Sequence, residues 1–148
     1  GDIQRKVVVA VPPPLRVVIY RRFMLRIAEL IARSSGSSAL VTGEAVGQVA
    51  SQTLDNMSVI DAVSSLPVLR PLVGMDKQEI VNEARRLGTY QVSIIPDEDC
   101  CTLFTPKHPA TRARRNQVEV SESALLIDEL VQEAVSNAVC RDFRFPPS

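Results

Sequence analysis

The chain has 148 residues, 45% of them hydrophobic and 23% charged, with 17 Lys and Arg against 17 Asp and Glu. That length predicts one domain, residues 1–148, able to bury its own core. The composition excludes a disordered tail, a collagen-like chain and a disulfide scaffold, and the even charge leaves no overall electrostatic footprint for nucleic acid. Three cysteines, an odd and small number, predict reduced thiols and a cytoplasmic location. No apolar run reaches the roughly 20 residues that span a bilayer, so no membrane association is expected. The most apolar stretch, Val7 to Tyr20, is broken by Pro12, Pro13 and Pro14 without a small-residue cleavage site, so no signal peptide is expected.

Charge is ordered along the chain. Residues 1–36 hold seven basic residues against Asp2 and Glu29, residues 107–115 hold Lys107, Arg112, Arg114 and Arg115 with no acid, and residues 119–133 hold five acids with no base. Most of these read as solvated helix faces and a basic loop. A local anion site is expected only where a basic residue breaks its own helix pattern.

In chain order, Lys6 to Val11 alone reads as a strand. Leu15 to Ser34 has helical period, with Tyr20, Phe23, Met24, Ile27 and Ile31 as the apolar stripe and Arg22, Arg26, Glu29 and Arg33 on the opposite, solvated side. Arg21 does not join them. It falls beside Leu25, Ala28 and Ala32, on a flank where a guanidinium needs an anionic partner, either a protein carboxylate or a ligand phosphate. Ala39 to Gly43 reads as a short buried strand. A helix is predicted from Glu44 to about Asn56, with Glu44, Gln48 and Gln52 along one ridge. Pro67 to Leu72 is a second strand, with a proline near each end suggesting an edge or a tip. Asp76 then predicts an N-cap, with Glu79 completing a capping box, Met75 and Ile80 a hydrophobic staple, Ile80, Ala84 and Leu87 facing the core, and Gly88 the stop. Val92 to Ile95 is a third strand, residues 96–116 a loop, Val118 to Val139 one amphipathic helix, and residues 141–148 a loose tail.

Strands alternating with helices predict an α/β fold with a parallel sheet. Ligands in such folds bind beyond the carboxyl ends of the strands, and Gly43 sits at one such end. A glycine there suits a backbone that approaches a nucleotide, and equally suits a tight turn. The adjacent Cys100 and Cys101 lie between the acidic Asp97-Glu-Asp and the cations Lys107 and His108. Their spacing fits no zinc finger, and no metal ligands are expected. The acids raise a thiol pKa and the cations lower it if the loop folds back, so the pair reads either as reactive or as two inert, half-buried thiols.

Four strings stand in order: Arg21 to Glu29 (RRFMLRIAE), Leu40 to Thr53 (LVTGEAVGQVASQT), Val68 to Ile80 (VLRPLVGMDKQEI), and Asp99 to Thr102 (DCCT) followed by Pro106 to Pro109 (PKHP). Together they resemble the tRNA 4-thiouridine synthetase family, also known for sulfur transfer in thiamine biosynthesis. The resemblance covers roughly residues 15–139. It implies a PP-loop ATP-pyrophosphatase fold, a Rossmann-like three-layer sandwich around a parallel sheet. It also implies ATP with Mg²⁺, adenylation of a tRNA uridine, and displacement of AMP by sulfur from a persulfide donor protein. Carried over residue by residue, the nucleotide contacts fall on Arg21, Gly43 and Gln52, and the catalytic cysteine on Cys101, with Cys100 as the alternative one position away. Cys140 matches nothing catalytic. The Ser-Gly-Gly-x-Asp-Ser turn that cradles pyrophosphate is absent, as are the family's N-terminal tRNA-binding modules. The chain therefore reads as the C-terminal part of a catalytic domain, inactive alone, that forms a homodimer or pairs with a missing half. The rival reading is a non-catalytic nucleotide-binding or assembly module.

Overall fold

The computed structural model describes residues 1–96, 104 and 106–142. Helix α1 (Asp2–Ala10) opens the chain. Val7 and Val11 are buried while Val9 is 89% exposed. A strand would place all three on one face, whereas helical winding separates Val9 from the other two. The strand read from Lys6 to Val11 is therefore a helix. It ends at Val11, whose extended backbone (φ −114°, ψ 133°) is the conformation that a following proline imposes.

A 3₁₀ turn at Pro13–Leu15 leads into α2 (Arg16–Ser34). Arg16 closes the corner by donating from its guanidinium to the carbonyls of Val11 and Val8, at 3.1 and 2.8 Å. Helix α2 is the centre of the molecule. It packs against α1, against β1 (Leu40–Val41), and against α3 (Leu54–Asp61), α6 (Arg115–Glu122) and α7 (Ile127–Ser136). Val18, Ile19, Phe23, Leu25 and Ala32 are buried on it, and so is Arg22. Of the expected stripe, Phe23 is buried, Tyr20 and Ile27 are half-buried, and Met24 and Ile31 are exposed. The charged side taken as solvated is largely enclosed. A helix surrounded by neighbours has no single solvent face, so its period alone misplaces the water.

Strand β1 pairs in parallel with β2 (Val68–Leu69), Leu40 opposite Val68 and Val41 opposite Leu69. The α/β class is as expected, and both strands are shorter than the sequence suggests. The third expected strand, Val92–Ile95, is instead reached by a four-residue helix, α5 (Tyr90–Ser93). Val92, Ile94 and Ile95 are exposed.

The helix expected over Glu44–Asn56 does not form. Gly47 takes φ +79° and Val49 is extended (φ −141°, ψ 166°), which breaks the winding. Only a 3₁₀ turn at Ala50–Gln52 precedes α3. Helix α3 starts instead at the Thr53 cap, whose hydroxyl accepts from the Asn56 N–H. Helix α4 (Lys77–Arg86) follows its sequence signals closely: Asp76 accepts from Gln78 and Glu79, Glu79 returns to the Asp76 N–H, and Gly88 sits at φ +74°. The single helix expected over Val118–Val139 is two, α6 and α7, broken at Ser123–Leu126. There the Ser123 hydroxyl bonds back to the Val120 carbonyl at 2.7 Å, and Leu126 leaves helical geometry at ψ 73°. No helix among the described residues is long and apolar enough to cross a membrane.

Candidate functional site

The carboxyl ends of β1 and β2 lie side by side and carry Thr42-Gly43-Glu44 and Arg70. The Thr42 N–H donates to the Leu69 carbonyl at 3.0 Å, which continues the strand pairing by one step. The Thr42 hydroxyl donates to Glu44 Oε2 at 2.9 Å. The Arg70 guanidinium reaches the same Glu44 oxygen at 2.7 Å and grips Asp61 at the end of α3 with a two-pronged fork, at 2.9 and 2.5 Å. Asp61 raises the Arg70 pKa first; burial opposes it and Glu44 adds to it, so the cation persists throughout the working pH range.

Gly43, held inside this network, is exposed. It has no positive φ, and a Cβ built on it would meet nothing within 4 Å. The fold of this chain therefore makes no demand for glycine at 43. The turn continues to Gly47, whose N–H donates to the Gln52 carbonyl at 3.0 Å. Gln52 is half-buried, and its side-chain Oε1 is buried without a hydrogen-bond partner. A buried orphan acceptor costs about 1–3 kcal/mol, so the oxygen calls for a donor from outside the described residues.

Helix α2 packs on both β1 and the 3₁₀ turn that carries Gln52. Arg21 on α2 is half-buried, and among the described residues no carboxylate pairs with it. Its neighbour Arg22 is the one that is fully enclosed. Arg22 forks onto Glu122 at 2.9 and 2.8 Å and donates to the Val59 carbonyl at 2.6 Å, while Arg26 forks onto the same carboxylate at 2.7 and 3.0 Å. Burial pushes the Glu122 carboxyl up, and the Arg26 and Arg22 contacts outweigh it, so it stays ionised with a lowered pKa. This group joins three elements of the core.

Tyr20, beside Arg21, donates its hydroxyl to the Phe104 carbonyl at 3.5 Å. Further on, Asn56 is fully buried and fully bonded. Its amide nitrogen donates to Ala50 and Ala110 and its oxygen accepts from the Ala113 N–H. One side chain thereby fixes the turn before α3 and the segment before α6 together. Cys100 and Cys101 lie outside the described residues. Lys107 and His108 are exposed, and Cys140 is a free, exposed thiol. Among the described residues no group of three His, Cys, Asp or Glu side chains could hold a metal ion.

The sequence reading missed Glu44, Asp61 and Arg70 as a group, and Asn56. The available signal was positional: Arg70 follows directly on the end of β2 and Glu44 lies three residues past the end of β1, where an ionic residue needs a partner.

Residues 1–127 match the family described as thiamine biosynthesis protein (ThiI). The chain belongs to the ThiI family. A probable tRNA sulfurtransferase from Thermus thermophilus is 52% identical over 99% of this chain and 36% of its own length. Another from Acetivibrio thermocellus is 51% identical over 92% of this chain and 35% of its own. Among solved structures, a 4-thiouridine synthetase–RNA complex with bound ATP superposes with a TM-score of 0.86 at 45% identity, covering 92% of this chain and 36% of that one. The α/β, Rossmann-like fold is therefore shared with that synthetase. This chain spans about a third of the length of the curated relatives it matches.

Proposed function

We propose that this chain is the C-terminal part of a PP-loop ATP-pyrophosphatase domain serving an ATP-dependent tRNA uracil 4-sulfurtransferase, with the same sulfur chemistry linked to thiamine biosynthesis. The observation that carries the reading is the 45% identity across 92% of the chain to a synthetase complex with RNA and ATP. In this reading a tRNA uridine oxygen attacks the α-phosphate of ATP and pyrophosphate leaves. A persulfide sulfur from a donor protein then displaces AMP. Arg21 meets the phosphates, the Gly43 backbone lies against the nucleotide, and the orphan Gln52 oxygen accepts from a nucleotide N–H. The half-buried guanidinium, the open glycine and the unpartnered acceptor all fit such a ligand. Mg²⁺ would enter with ATP as its counter-ion, and no residue here is assigned to it.

Cys101 carries the sulfur step in this reading, with Cys100 as the alternative. In an otherwise complete enzyme containing this segment, Cys101→Ser should abolish 4-thiouridine formation in tRNA while leaving nucleotide binding nearly intact, because serine cannot exchange sulfur. Cys140→Ser should be nearly silent. Activity in Cys101→Ser with loss in Cys100→Ser would move the role by one residue, and activity in all three would end the cysteine assignment.

The remaining partners are part of the same proposal: tRNA held by modules outside this chain, a cytoplasmic setting, and either a second copy or a missing half of the domain. Val41 and Leu69, paired across the two strands, are 68% and 53% exposed. Parallel strands are ordinarily covered on both faces, so this apolar face supports association.

A further inference from the structure

The buried ion group at the strand ends has no role in the chemistry above. Glu44 and Arg70 side chains are 5% and 10% exposed, and Asp61 is 38% exposed. Such a group is a poor device for stability, because desolvation consumes most of its Coulomb energy and apolar side chains of the same volume often serve as well. What it supplies is geometry. Arg70's planar fork fixes Asp61, and its Nε–H fixes Glu44. Glu44 in turn holds the Thr42 hydroxyl, so both neighbours of Gly43 are tied to β2 and α3. Gly43 brings no side chain to this, and apart from its chain neighbours no described atom comes within 4 Å of the place where its Cβ would be.

We propose that Arg70 is a positioning residue that sets the Gly43 turn for the nucleotide by clamping Glu44 against Asp61. The inference rests on the reading of Gly43 as a nucleotide contact. It adds that the affinity of that contact is controlled by a side chain that touches no ligand. A lysine at 70 keeps the charge but cannot make both the fork to Asp61 and the bond to Glu44. A glutamine loses the charge as well.

The test compares wild type, Arg70→Lys and Arg70→Gln in two measurements, with ATP as the probe. The first is amide hydrogen exchange along the chain without nucleotide; the second is ATP affinity by calorimetry. Loss of one charge-assisted hydrogen bond predicts about tenfold weaker ATP binding in Arg70→Lys, and a larger loss in Arg70→Gln. Exchange should accelerate at residues 43–48 while α4 and the α2 core keep wild-type protection. Where Arg70→Gln unfolds, Arg70→Lys alone decides. Unchanged exchange at 43–48, acceleration spread evenly through the fold, or faster local exchange with wild-type affinity each overturns the inference. Absence of ATP binding by wild type overturns the reading of the site itself, and is recognised because it appears before any substitution is made.

Discussion

Glu29 shows how a single side chain on α2 can be read for pH dependence. Its carboxylate accepts from the Ser65 hydroxyl and backbone N–H at 2.5 and 3.0 Å and from Arg33 at 2.7 Å. The Ser65 hydroxyl foremost, then Arg33 and Ser64, hold its pKa at about 2 against burial, well under its ordinary 4.5. A carboxylate depressed in this way stabilises the fold fully above about 4.5, and that contribution is lost as pH falls from there towards 2. Glu29→Gln should cost roughly 1–2 kcal/mol at neutral pH, allowing for the partly solvated Arg33, and should flatten the acid limb of the melting curve. An unchanged limb in the variant would assign acid sensitivity elsewhere. At this scale the sequence was informative where a residue departed from its pattern. Arg21 stood out on its helix flank, and it is half-buried with no carboxylate partner among the described residues. Arg22 was misread because its partner Glu122 is a hundred residues away, and no local spacing announces such a pair. Gln52 was marked through family resemblance; its orphan oxygen becomes visible only once the turn around it is built.

Elements were legible in proportion to the locality of their signals. Helix α4 carries its cap, capping box and stop within its own residues and forms over the span read, but its expected core face does not hold: no residue of α4 is buried, and Leu87 is 60% exposed. The span 44–56 has helical apolar spacing, but Gly47 and the Thr53 cap outweigh it, so the helix starts ten residues later than expected, at Leu54. The break between α6 and α7 has no glycine or proline to mark it. It follows from tertiary demand, because Glu122 must meet Arg22 and Arg26 inside while α7 buries Leu130 and Val131. The α2–α6 junction is consequently fragile to half-measures. Glu122→Gln leaves the Arg22 guanidinium buried without its counter-charge and should destabilise by about 3–5 kcal/mol. The double variant Arg22→Met with Glu122→Leu should recover most of that loss in denaturant unfolding. A double variant as unstable as the single would mean that the ion group cannot be replaced by packing.

For the molecule as a whole, membership of the ThiI family and the α/β class were readable from four ordered strings, because these carry the strand ends and helix caps that a shared fold repeats. The packing was not. A chain whose central helix is surrounded by helices, a strand and two 3₁₀ turns hides its inside from any one-dimensional period. What connects the scales is the proposed nucleotide site: Arg21 from α2, Gly43 from the turn after β1, and Gln52 from the turn before α3. In that proposal the nucleotide brings Arg21 an anion and Gln52 a hydrogen-bond donor, neither of which the described residues provide, and lies in the open space beside Gly43. The most direct measurement of this is calorimetry of the chain with ATP and with AMP, repeated on Arg21→Ala and Gly43→Val. Wild type should bind, weakly if the pyrophosphate cradle lies outside this chain. Both variants should bind at least about tenfold more weakly at unchanged melting temperature, since Arg21 pairs with no carboxylate among the described residues and Gly43 has open space. Affinity equal to wild type in both variants would contradict the site.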